Sequence, residues 1–103
     1  MATGNIDPVA IEIALESHEL VRAAVVVGVP HDHWGERPVA LVESAMKIPN
    51  ENLSHFLRQK IHKFSVPDAF YFVSEIPRTS LGKKSRAHAR TLVQEHIFSQ
   101  SQT

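Results

Sequence analysis

The 103-residue sequence contains no cysteine, which excludes a disulfide framework and any metal site built from thiolates. It has no excess of either charge, since eleven Lys and Arg balance eleven Asp and Glu. A neutral chain has no overall field to attract nucleic acid or an anionic membrane. No apolar run approaches the roughly 20 residues that span a bilayer, and residues 1–4 lack the features of a signal peptide. We therefore expect one cytoplasmic domain without a membrane span and without a nucleic-acid partner.

The strands are predicted from short apolar stretches. A β-branched run at residues 23–29 ends in Gly28-Val29-Pro30, which is typical of a buried strand followed by a turn. Residues 39–42 and the aromatic stretch 69–73 have the same character. The sequence therefore predicts three strands.

The helices are predicted from capping residues and from apolar spacing. Asp7-Pro8 has the form of a helix start, because Asp can accept from free amides and Pro fits the first helical position. A second helix is predicted from Pro49 to the stop at Val66-Pro67, and a third from Lys84 to about Ile97. The residues expected to face the core from these two helices are Leu53, Phe56, Leu57, Ile61, Leu92, Val93 and Ile97. This order of elements predicts a small α+β domain, with a three-stranded sheet covered by helices.

A basic segment, residues 78–90, stands out because it holds five Lys and Arg and no acidic residue. Within it Gly82 directly precedes Lys83, in a loop that also contains Thr79. Such a loop can present an ammonium group, hydroxyls and amides to a phosphate or carboxylate. It is not a Walker A loop, because Pro77 and Lys84 occupy positions where that motif needs Gly and Ser or Thr. Taken alone, the segment is also compatible with a solvated surface loop.

Several motifs in order resemble the C-terminal lobe of the adenylate-forming superfamily, which includes acyl-CoA synthetases, luciferases and peptide synthetase adenylation domains. The superfamily's Pro-x-Thr-x-x-Gly-Lys motif is filled in register by Pro77, Thr79, Gly82 and Lys83. The other matching segments are residues 8–12, 25–30, 34–38, 63–67 and 75–77. Because the matches extend from about residue 5 to residue 90, they are far more specific than the loop alone. Residues 34–38 are most similar to the branch that activates fatty or medium-chain acids.

The resemblance implies a division of labour between two lobes. A large N-terminal lobe, outside this chain, would bind ATP, Mg²⁺ and the carboxylic acid. This small lobe would supply Lys83 to the adenylation step, with Thr79 and Gly82 near the nucleotide, and would then rotate so that CoA reacts with the acyl-adenylate. The expected overall reaction converts a carboxylic acid, ATP and CoA into acyl-CoA, AMP and pyrophosphate. The isolated chain is expected to be inactive.

The same resemblance implies two aromatic contacts with the pantetheine arm of CoA, Trp34 and Phe64. Packing in the core is an equal alternative for Phe64. Some relatives carry basic residues shortly after this Phe to meet the CoA nucleotide phosphates, but this sequence has Val66 and Asp68 there. The motif does not specify the position of Lys84, which we expect to be a solvated surface charge.

The domain is expected to cover residues 5–98, with residues 1–4 as non-native residues and residues 99–103 as a flexible tail. The hinge motif of the superfamily would lie just upstream of Asn5. His31, Asp32, His33 and Glu36 lie close in sequence, but we interpret them as a polar loop and predict no metal site. Two other functions remain open. The chain can be a stand-alone anion-binding or protein-interaction module that uses residues 78–90, or a structural or dimerising piece.

Overall fold

The computed structural model describes residues 6–33 and 35–101, with side chains described as far as residue 97. The predicted order of elements is confirmed. The helices are α1 (Pro8–Glu16), α2 (Asn50–Arg58) and α3 (Arg86–Ser101), and a 3₁₀ turn covers Lys63–Ser65. The strands are β1 (Val21–His31), β2 (Gly35–Ser44) and β3 (Ala69–Val73). Trp34, residues 1–5 and residues 102–103 lie outside the described residues.

The element ends differ from the prediction in three places. Strands β1 and β2 are longer than predicted, because they form one hairpin paired from Val21–Ser44 to His31–Gly35. Helix α2 ends at Arg58 and does not continue to Val66. Helix α3 begins at Arg86 and continues to Ser101, so it includes residues 99–101 of the predicted tail.

The sheet has the order β1-β2-β3, with β2 in the centre. Strands β1 and β2 are antiparallel, and β2 and β3 are parallel. A parallel neighbour needs a crossover connection, and α2 lies in the connection between β2 and β3. The small α+β fold with a three-stranded sheet and covering helices is therefore the one that the sequence predicts.

Both faces of the sheet are buried. On one face Ala24, Val26, Ala40 and Val42 pack with apolar residues of α1 and α2. On the other face, neighbouring residues of the same strands pack against Ala89 and Val93 of α3. A strand buried on both faces reads as a continuous apolar run, which is why residues 23–29 show no alternation. Val93 docks α3 as predicted, Leu92 is partly buried against the same cluster, and Ile97 is less covered, with 36% of its surface exposed.

The free edge of β1 is covered by side chains from α1 and α3. Carboxylate oxygens of Glu16 and Glu12 accept from the amides of Ala24 and Val26, at 2.9 and 2.8 Å. Arg86 donates to the carbonyl of Val26 at 3.1 Å, and Arg90 donates to that of Gly28 at 3.4 Å. Edge strands with unpaired backbone groups favour pairing with other chains. These side chains satisfy the backbone of β1 and tie both helices to it.

Candidate functional site

The loop that carries Lys83 is a tight β-hairpin turn. Arg78 and Lys84 form an antiparallel bridge, and the Thr79 amide donates to the Lys83 carbonyl at 2.7 Å. The Gly82 amide donates back to the Thr79 carbonyl at 2.9 Å. Gly82 has φ of 89°, a left-handed conformation that residues with a Cβ adopt only at a cost. The glycine of the motif is therefore explained by the turn itself.

Thr79 closes this turn from the inside. Its hydroxyl oxygen accepts from the amide of Lys83 at 3.3 Å, while Arg78 donates to the carbonyl of Gly82 at 3.0 Å. Thr79 and Gly82 thus fix the backbone on both sides of Lys83. Their proximity to a nucleotide stays a prediction, as does the catalytic role of Lys83.

The basic residues 78–90 differ sharply in what their side chains contact. Arg78 and Arg90 donate to backbone carbonyls, and Lys84 and Arg86 pair with carboxylates of α1. Lys83 is exposed, and among the residues that the structure describes no ion pair or side-chain hydrogen bond involves its ammonium group. Four of the five cations thus have internal partners, and within the described residues the Lys83 ammonium has none, although Arg78 and Arg90 are exposed as well.

A buried carboxylate, Glu12, organises the surroundings of this loop. Its residue is 3% exposed. Arg86 donates to both of its carboxylate oxygens. Lys84 donates to Oε1 at 3.3 Å, and the amide of Val26 donates to Oε2 at 2.8 Å. Lys84 also reaches Glu16 at 2.8 Å, and its side chain is only 25% exposed. The prediction that Lys84 is a solvated surface charge is therefore wrong, because two carboxylates of α1 hold it.

Burial raises the pKa of Glu12, but its partners outweigh this effect. The hydrogen bond from Arg86, the amide of Val26 and the positive charge of Lys84 together hold the pKa of Glu12 below its ordinary value of 4.5. The hydrogen bond to Glu12 likewise raises the pKa of Arg86 above its ordinary value. Both groups therefore stay charged at neutral pH. In the sequence, this network is indicated only by Glu12, a charged residue among the apolar residues on the buried face of α1.

Phe64 lies on the surface of the 3₁₀ turn and is 54% exposed. Its ring stacks on His62, with ring centroids 5.2 Å apart, and the Lys63 ammonium lies 5.5 Å from its centroid. The core-packing alternative for Phe64 is therefore wrong. Contact of Phe64 with CoA stays a prediction, and so does that of Trp34, which lies outside the described residues.

Arg37 joins the Phe64 turn to the start of β2. It forms a two-oxygen pair with Asp68, with an Nη2–Oδ1 distance of 2.9 Å, and it donates to the carbonyls of Phe64 and Val66 at 2.6 and 3.1 Å. Asp68 serves here as the partner of Arg37. Arg37 and Phe64 line the same open groove, together with Arg58 and Lys63. We call these contacts of Arg37 with Asp68, Phe64 and Val66 the Arg37 clamp, and the sequence did not predict it.

Replacing Arg37 with Lys tests the clamp. A lysine cannot reproduce the planar, forked hydrogen bonding of arginine, so we expect Arg37→Lys to lower the free energy of unfolding by about 1–2 kcal/mol. Urea denaturation of the chain measures this change. The exposed α2 residue Arg58 provides the control, because Arg58→Lys should change the unfolding free energy by less than about 0.5 kcal/mol. Equal values for the two variants would contradict the proposed clamp.

No group of three or more His, Asp or Glu within residues 6–33 and 35–101 is arranged to hold a metal ion. In the same part of the chain, no helix is long and apolar enough to cross a membrane. His31 accepts from the amide of His33 at 3.0 Å, which is a local turn contact.

Comparisons with known proteins agree with the motifs. The chain is 43% identical over 91 residues to 2-succinylbenzoate–CoA ligase of Bacillus cytotoxicus, a match covering 88% of this chain and 19% of the relative. The structure resembles amide bond synthetase McbA of Marinactinospora thermotolerans, with a TM-score of 0.80, 36% identity, and coverage of 85% of this chain and 18% of the other. It also resembles o-succinylbenzoate CoA synthetase of Bacillus subtilis in complex with its acyl-adenylate intermediate, with a TM-score of 0.74, 28% identity, and coverage of 78% and 16%.

The profile of one protein family matches the larger part of the chain. This family is the AMP-binding enzyme C-terminal domain, and the match covers residues 10–83, from α1 to the lysine of the turn. The chain spans about a fifth of the length of the curated relatives it matches, which are named 2-succinylbenzoate–CoA ligases. The chain belongs to the AMP-binding enzyme C-terminal domain family.

Proposed function

We propose that this chain is the mobile C-terminal lobe of an ATP-dependent acid–CoA ligase, and that Lys83 is its adenylation lysine. The observation that carries the proposal is the contrast between Lys83 and its basic neighbours. Arg78, Lys84, Arg86 and Arg90 are held by internal partners, whereas the ammonium of the exposed Lys83 has no partner among the described residues. A cation that needs no internal partner is available to an external anion.

Adenylation makes particular demands on such a cation. The carboxylate of the acid must approach the α-phosphate of ATP, and negative charge grows on the phosphoryl oxygens as pyrophosphate leaves. A fixed ammonium group offsets that charge without reorganising solvent during the reaction. Lys83 would serve as this group once the small lobe closes on the large one. We expect the ligands of Mg²⁺ to lie in the large lobe, outside this chain.

A second surface, around Phe64, is proposed to meet CoA. Lys83 is tied to α1 and β1 through its neighbours Lys84 and Arg86, whereas Phe64 is tied to β2 through Arg37. The predicted contact of Lys83 with the phosphate and that of Phe64 with CoA therefore lie on different elements. A lobe that presents a different face in each half-reaction requires this separation. An exposed aromatic ring suits the mostly apolar pantetheine arm, and Trp34 would contribute in the same way.

The acid itself is not fixed by this chain, because its pocket would lie in the large lobe. Similar curated proteins, such as that of Bacillus cytotoxicus, are named 2-succinylbenzoate–CoA ligases. They give no support to the expectation of a fatty or medium-chain acid. The proposal is therefore limited to a carboxylic acid. An assay panel should contain 2-succinylbenzoate beside a fatty acid.

The acceptor has a second candidate, since one similar solved structure is named as an amide bond synthetase. A lobe of this fold can thus stand in an enzyme whose acceptor is an amine. Supplying acyl-adenylate with CoA or with an amine separates the two. The proposal expects a thioester and AMP with CoA, and no amide with the amine.

The proposal is tested by comparing the full-length enzyme with this chain alone. Full-length enzyme given ATP, Mg²⁺ and the correct acid should release pyrophosphate, and the 103-residue chain should release none. Acid-dependent release by the isolated chain would contradict the division of labour between lobes. The rival anion-binding module predicts that the chain binds polyphosphate with an affinity that falls steeply with salt. We expect no such binding, because four of the five cations in residues 78–90 have internal partners.

A further inference from the structure

Lys84, the residue after the proposed adenylation lysine, is held against α1 by two carboxylates. Its ammonium lies 2.8 Å from Glu16 and 3.3 Å from Glu12. Its backbone is part of the bridge to Arg78, so the segment is extended there. In an extended segment, successive side chains point to opposite sides. Holding Lys84 against α1 therefore turns Lys83 away from α1 and into solvent.

The anchor is strong because both of its carboxylates are themselves fixed. Glu12 is tied to the amide of Val26, and Glu16 to the amide of Ala24. Lys84 therefore contacts two carboxylates that are each hydrogen-bonded to the backbone of β1. A surface lysine with one mobile partner would restrict the segment far less.

We propose that Lys84, held by Glu12 and Glu16, is a positioning residue that sets the direction of Lys83 for adenylation. This inference rests on the proposed function of Lys83. Lys84 itself touches no reacting atom. It acts by reducing the orientations open to the preceding residue, so that the Lys83 ammonium already points away from α1 when the lobe closes. Misplacing a catalytic group by about 1 Å can cost on the order of 100-fold in rate.

The test uses Lys84→Met in the full-length enzyme, because methionine keeps an unbranched apolar chain and removes only the charge. We expect the adenylation kcat, followed by pyrophosphate exchange, to fall about 10-fold to 100-fold. The KM for ATP should change little, because Lys84 does not contact the nucleotide. Thioester formation from supplied acyl-adenylate should stay within about twofold. A merely structural role would instead lower both half-reactions together.

Three companion variants make the result decisive. Lys84→Arg restores a cation that reaches the same carboxylates, so it should recover most of the adenylation rate. Glu16→Gln removes one anchor and leaves the Glu12–Arg86 pair in place, so it should reproduce part of the loss without unfolding the domain. Lys47→Met, at an exposed lysine elsewhere on the lobe, should match the wild type.

The outcomes separate this proposal from the function on which it rests. If Lys83→Ala abolishes adenylation while Lys84→Met behaves as wild type, the positioning role is overturned and the proposed function stands. Equal losses in both half-reactions for Lys84→Met would also overturn positioning. If Lys83→Ala leaves adenylation intact, the proposed function and the positioning role both fail. Selective loss in Lys84→Met with rescue by Lys84→Arg supports both.

Discussion

Lys83→Ala in the full-length enzyme should lower the rate of adenylation by about 10²–10³, the cost typical of losing one preorganised donor to a developing anion. The loss should appear in kcat for acid-dependent pyrophosphate exchange. It arises because no neighbouring cation can take over. Lys84 and Arg86 are bound to carboxylates of α1, and Arg78 and Arg90 to backbone carbonyls.

Two controls accompany this variant. Lys47→Ala removes an exposed lysine from another part of the lobe, and its rate should equal that of the wild type. Urea denaturation of the Lys83→Ala chain should give an unchanged unfolding free energy, within about 0.5 kcal/mol, since the Lys83 side chain is exposed. A rate loss accompanied by a large loss of stability would point to a structural role for Lys83 instead.

Glu12→Gln should destabilise the isolated chain by about 3 kcal/mol, the lower end of the cost of removing one partner from a buried ion pair. The lower end applies because the partners Arg86 and Lys84 retain some exposure, 38% and 25% of their side chains. An amide in place of the carboxylate still accepts from Val26 but no longer offsets the two cations. Urea denaturation at pH 7 measures the change. Glu19→Gln, at an exposed position, should stay within about 0.5 kcal/mol of wild type.

The destabilisation should depend on pH in a defined direction. The pKa of Glu12 in the folded chain is lower than its ordinary value of 4.5. Its stabilising contribution is therefore complete above that ordinary value, and it is lost as the pH falls through the lowered one. The unfolding free energies of wild type and Glu12→Gln should thus differ fully at pH 7 and converge on acidification below pH 4.5. A difference that stayed constant down to the pH of acid unfolding would mean that the ion pair is not its source.

The fold was largely predictable because its apolar pattern has few alternative solutions. A continuous β-branched run at residues 23–29 is typical of a strand covered on both faces, and the sequence predicts the aromatic strand Ala69–Val73 to the residue. The end of α2 was not predictable in the same way. Ile61 continues the helical spacing and packs against the core from the turn that follows Arg58. No Gly or Pro marks the end at Arg58.

The candidate site was predictable only where it is local in sequence. The turn needs Gly82 for its positive φ and Thr79 for its hydroxyl, so these two residues stand within five positions together with Lys83. The surroundings of the turn depend on distant pairs instead. Lys84 meets Glu16 and Glu12, which lie 68 and 72 positions away in the chain. No local sequence pattern indicates an ion pair between residues so far apart. The prediction that Lys84 is a solvated surface charge was wrong for this reason.

The central claim is that this lobe supplies Lys83 to one half-reaction and a different surface to the other. The most direct test measures both half-reactions in the same Lys83→Ala preparation of the full-length enzyme. Pyrophosphate exchange reports adenylation, and CoA added to supplied acyl-adenylate reports thioester formation. Our account predicts that adenylation is lost while thioester formation stays within about twofold of wild type. Retention of both rates, or equal loss of both, would contradict it.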